Sequence, residues 1–88
     1  MAIITDLVQE VVGAGGYVCF WLGPTRNDAT LLAIKSYGTV AEGSNNAAAV
    51  SLLVTSHLCG LRVRVTRDDQ SGRVTKIESA ANGKAVTF

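Results

Sequence analysis

The chain is short of nearly everything a catalytic or metal centre is built from. It has one histidine, His57, and two cysteines, Cys19 and Cys59, in 88 residues. No second histidine or paired carboxylate is spaced to join His57 around an ion, so neither a metal nor a cofactor is expected. Two cysteines are too few for a disulfide scaffold. Their separation allows either one long-loop bridge or two buried free thiols. There is no nucleophile elbow, and His57 and Cys59, two residues apart, point to different sides of a helix. The expectation is a protein that is not an enzyme.

Charge is scarce too. Charged residues make up 17% of the chain and the net charge is +1, which argues against a general polyanion binder. The apolar fraction of 48% excludes disorder. No run reaches the roughly 18 to 20 consecutive apolar residues of a membrane span. "MAIITDLVQEVVGAGG" lacks the basic start of a secretory signal and is interrupted by Asp6 and Glu10. The expected location is cytoplasmic as written, or secreted if a leader was removed. Residues 1–88 read as a single domain, of a size that often leans on neighbouring subunits.

What is present is a set of short periodic segments. Ile4, Leu7, Val8, Val11 and Val12 fall at i, i+3, i+4, i+7 and i+8, which predicts a short N-terminal helix over 4–13 with Thr5 as N-cap. The glycines of "GAGG" would end it. "YVCFWLG" reads as a strand apolar on both faces, with Tyr17, Cys19 and Trp21 on one and Val18, Phe20 and Leu22 on the other. A turn at Pro24 leads to a second strand in "ATLLAIKSYG", and a shorter extended piece is expected around Thr39 to Ala41.

A central apolar helix is predicted over 45–59, with Ser44, Asn45 and Asn46 competing to cap it and Gly60 ending it. It is apolar nearly all round. Ala49, Leu52, Leu53 and Cys59 form one face, and Ala47, Val50, Val54 and Leu58 another, roughly opposite. In a domain this small one face covers the sheet and the other needs a partner, so Ala47, Val50, Val54, His57 and Leu58 are the expected interface of a homo-oligomer. "LRVRVTR" then alternates, with Leu61, Val63 and Val65 inward. "DDQSG" is a turn and "RVTKIES" the return strand, where the parity of Val74 and Ile77 predicts a bulge. Asn82-Gly83 signals a last hairpin into "KAVTF".

The order predicts an α+β fold: a small antiparallel, OB-like barrel or sheet with one helix packed on it. "AAAVSLLVTSHLCGLRVRV" and "LRVRVTRDDQSGRVTKIESA" resemble the closing half of the pentameric B subunits of bacterial AB-type toxins, mainly over residues 44–80. "IITDLVQEV" is similar to the N-terminal helix of cholera-like members. The resemblance implies an OB-like barrel, a ring of five subunits with helices lining the centre, and a glycan bound at an outer surface.

Three side-chain groups are candidates for ligand contact. Trp21 is either a stacking platform for a sugar or base, or a core or interface aromatic. Arg62 and Arg64, with Arg67, Arg73 and Lys76, form a basic hairpin that would suit single-stranded nucleic acid. The interleaved Asp68, Asp69 and Glu78 instead suit a solvated or salt-bridged face. His57 is either a pH-sensitive or ligand-contacting residue, or a hydrogen-bonded interface histidine. The leading expectation is an oligomeric glycan-binding protein without catalysis. Its alternatives are a single-stranded nucleic-acid-binding module and a structural assembly protein.

Overall fold

The computed structural model describes residues 2–35 and 40–88, and it is a six-stranded antiparallel sheet with one helix. In chain order the elements are β1 (Ala2–Ala14), β2 (Tyr17–Leu22), β3 (Thr30–Lys35), α1 (Val40–Cys59), β4 (Arg62–Arg67), β5 (Val74–Ser79) and β6 (Ala85–Thr87). The strand order is β3-β2-β1-β4-β5-β6, and the sheet is not closed into a barrel. β1 is shared. Its first half, Ala2 to Leu7, pairs with β4, and its second half, Val8 to Ala14, pairs with β2.

The N-terminal helix expected over 4–13 is therefore a strand, and the reason lies in one bulge. The register of β1 against β2 slips between Val8 and Glu10. A slip of one residue switches which side chains face inward. Ile4 and Val8 face the core before it and Val11 after it, so the core residues are spaced by four and then three. That spacing imitates a helical stripe. The β-branched content of Ile3, Ile4, Thr5, Val8, Val11 and Val12 favours the strand. "GAGG" is likewise a hairpin turn instead of a helix stop: Gly15 and Gly16 have φ of 59° and 82°, the left-handed pair that a two-residue type I′ turn requires.

β2 and β4 follow the alternation expected of them, and β3 is the expected second strand over Thr30–Lys35, with residues 36–38 of that stretch outside the described residues. On the inner side Phe20, Leu22, Leu32, Ile34, Val63 and Val65 are buried. β5 carries the predicted bulge, since Thr66 pairs with Lys76 and Arg67 with Val74. That slip lets Val74 and Ile77 both face the core. The "DDQSG" turn is held by Asp68, whose carboxylate accepts the backbone N–H groups of Gln70 (2.8 Å) and Ser71 (3.0 Å). These bonds, the Ser71 one first, hold the Asp68 carboxyl below its ordinary value of 3.8. The Asn82-Gly83 hairpin forms, but across a longer loop, closed where Ser79 N–H donates to the Lys84 carbonyl at 2.7 Å.

α1 starts earlier than predicted. Val40 and Ala41, expected in an extended piece, are helical, and Ser44, Asn45 and Asn46 lie inside the helix. Thr39 is outside the described residues. The helix ends as expected: Gly60 takes φ +65°, and Leu61 N–H donates to the Ser56 carbonyl at 2.9 Å, the 6→1 bond of a Schellman motif. Its buried stripe is Asn46, Ala49, Leu53 and Ser56, at steps of three, four and three. Complete burial of Leu53 is worth about 1.5–3 kcal/mol. Cys59, expected on this stripe, is exposed because it sits at the final turn, where the chain leaves the core. Cys19 is half-buried, and both thiols are free, so neither the bridge nor the pair of buried thiols is found.

Candidate functional site

Core and helix together cover only the inner side of the sheet, and the outer side divides in two. Over β1's first half, β4, β5 and β6, one register row runs Thr5, Arg64, Glu78, Ala85 and the next Ile3, Thr66, Lys76, Thr87. Arg64 Nη1 lies 2.9 Å from Glu78 Oε1, and Lys76 Nζ lies 3.6 Å from Glu78 Oε2. One carboxylate thus answers two of the hairpin's cations within the same chain.

Over β1's second half, β2 and β3, the rows are Glu10–Trp21–Leu31, Val12–Cys19–Ala33 and Ala14–Tyr17–Lys35. This side is apolar and open: Leu31 is 55% exposed, Tyr17 46% and Val12 37%. Trp21 is half-buried on this outer side.

The loop from Gly23 to Ala29 folds back over Trp21. Its root is fixed by two hydrogen bonds to β1, with Gly23 N–H donating to the Leu7 carbonyl (3.0 Å) and the side-chain Nε2 of Gln9 donating to the Gly23 carbonyl (2.9 Å). Gly23 has no room for a side chain, because a Cβ there would lie 2.6 Å from the Asp28 carbonyl oxygen. Thr25 Oγ1 accepts the Asp28 N–H at 3.2 Å, tightening the turn. The loop so shaped puts the Arg26 guanidinium carbon 4.1 Å from the centroid of the indole. Arg26 Nε donates to Glu10 Oε2 at 2.8 Å, with the two side chains 49% and 46% exposed. An exposed cation–π contact is worth about 0.5–1 kcal/mol and an exposed ion pair about 0.2–1 kcal/mol. Arg26 is a light cover.

The structure brings Trp21 together with Glu10 and Arg26, and not with Arg62 and Arg64, which lie on the other half of the sheet. Arg62 is exposed and Arg64 is bound to Glu78. Glu10 and Arg26 carry no signal of a site in the sequence: Glu10 reads as an interruption of an apolar segment and Arg26 as part of the turn at Pro24. Among the proposed interface residues, Leu58 is 76% exposed, Val54 38% and Ala47 exposed, while Val50 is half-buried against the core. His57 lies at the edge of this stripe. Its Nδ1 is 2.7 Å from the Val8 carbonyl, an acceptor only, so Nδ1 carries the hydrogen. The bond fastens α1 to β1 where β1 changes partner.

Between α1 and the β5–β6 hairpin lies an open cleft of about 510 Å³ whose one charged liner is Lys84. Among the described residues no three histidine, cysteine, aspartate or glutamate side chains converge as metal ligands, and no helix is long and apolar enough to cross a membrane. No protein-family model matches the chain, and neither a curated protein nor a solved structure matches it.

Proposed function

We propose that this chain is a non-catalytic, OB-like binding subunit that works as a ring of identical copies and holds a glycan on its outer face. The connectivity supports the OB-like part. β1 is shared between β2 and β4, α1 joins β3 to β4, and the curled sheet brings β3 toward β5 without closing. The observation that carries the assembly is the apolar stripe of Ala47, Val54 and Leu58 on the side of α1 away from the core. A stripe of this kind in water favours burial against another surface.

A ring suits the rest of the molecule. The two ends of the sheet, β3 and β6, are unlike, and each has a strand neighbour on one side only. Contacts between unlike surfaces are head-to-tail and close into cycles when the rotation allows. The resemblance to toxin B subunits makes five the expected number of copies. Nucleic acid is the poorer ligand because Glu78 answers Arg64 and Lys76. With Asp68 and Asp69 it leaves the hairpin a formal net charge of only +2 from Arg62, Arg64, Arg67, Arg73 and Lys76.

The test is a glycan array probed beside immobilised oligonucleotides over a range of salt. The reading expects retention on a subset of glycans with little salt dependence. Retention on oligonucleotides that falls steeply with salt would overturn it in favour of a nucleic-acid binder. Silence on both supports would leave a purely structural assembly protein.

A further inference from the structure

We propose that Trp21, Arg26 and Glu10 form a gated subsite for a single pyranose ring, in which Arg26 is the gate. The inference rests on the glycan reading and deepens it. A sugar ring has a C–H face that packs on an aromatic plane and a rim of hydroxyls that need donors and acceptors. The outer face of β1, β2 and β3 supplies both at one place. Trp21 gives the plane, with Leu31 beside it in register, and Glu10 and Arg26 give an acceptor and a donor already aligned at 2.8 Å. Two neighbouring hydroxyls can replace that pairing bond for bond, one donating to the carboxylate and the other accepting from the guanidinium.

The Arg26 guanidinium stacks on the indole and shields it. Both of its contacts are exposed and correspondingly weak, so a ring that packs on Trp21 displaces it at small cost. Displaced, Arg26 stays within reach of the hydroxyl rim because Gly23 anchors the loop that carries it. Charge selects the ligand class. Glu10 offsets Arg26 within the site, so the pair carries no net charge and suits an uncharged sugar better than a nucleotide.

Trp21 is the sole tryptophan, so its emission reports this site alone. The full chain is titrated with a panel of methyl hexopyranosides and N-acetylhexosaminides, following emission and acrylamide quenching. At least one sugar is expected to give a saturable blue shift and reduced quenching. Glu10→Gln should weaken that sugar roughly tenfold, the value of one charge-assisted hydrogen bond, while molar mass and near-ultraviolet circular dichroism stay unchanged. Should Glu10→Gln not fold, the wild-type titration decides the matter. If glycans are retained on the array but none perturbs Trp21, the subsite is wrong and the glycan reading stands. If no glycan is retained at all, both fall.

Discussion

The two halves of the sheet share β1, one core and one helix, yet treat water in opposite ways. The half built on β4 and β5 sends Arg62, Arg64, Lys76 and Glu78 outward and buries Val63, Val65 and Ile77. The half built on β2 and β3 is apolar on both sides, burying Phe20, Leu22, Leu32 and Ile34 while leaving Tyr17, Trp21 and Leu31 outside. The fully buried side chains of both halves lie on the inner side. The outer side of the second half keeps apolar side chains in water, which is why it is the place to look for function.

The largest effect is expected on the inner side of β2. Phe20→Ala removes a fully buried ring from the apolar half and should cost about 3–5 kcal/mol, read as a drop in the urea midpoint. Trp21→Ala, its neighbour on the outer side, should cost clearly less. Equal losses would mean that the outer indole is structural and that the two sides of β2 are not distinct.

A smaller effect is expected where the loop meets the sheet. Gly23→Ala puts a Cβ against the Asp28 carbonyl oxygen and the Ala29 Cα, and should destabilise by about 1–3 kcal/mol. The same change should loosen Arg26 from Trp21, raising acrylamide quenching of the indole in the folded protein. Unchanged quenching would show that the loop does not depend on its anchor.

The smallest effect belongs to the charged half. Arg64→Ala should cost about 0.2–1 kcal/mol at low salt and less as salt is raised, because its partner Glu78 is shared with Lys76 and the guanidinium is largely exposed. A larger, salt-independent loss would indicate that this half, too, is buried against something.

How much of this the sequence carried depends on the half. In β4 and β5 charges mark the outer side, so strand, face and even the bulge near Thr75 could be read from the parity of Val63, Val65, Val74 and Ile77. The end of α1 was legible because Gly60 has few uses other than a C′ stop. In β2 both faces are apolar, so the pattern could not say which one water would meet. β1 misled for a sharper reason. A bulge at residue 9 gave its inward residues a helical spacing, and the resulting helix hid Glu10, which pairs across the sheet with Trp21. The start of α1 was missed because Ser44, Asn45 and Asn46 look like caps and the residues before them carry no apolar period.

The proposed ring depends on the stripe of Ala47, Val54 and Leu58 being covered by another copy of the chain. Light scattering behind a sizing column, run on the wild type and on Leu58→Lys over a hundredfold range of concentration, tests it most directly. The expected wild-type mass is a fixed multiple of the 9.2 kDa chain, and the Leu58→Lys mass falls toward one chain with the fold intact. Wild-type protein that stays at the mass of one chain throughout would contradict it.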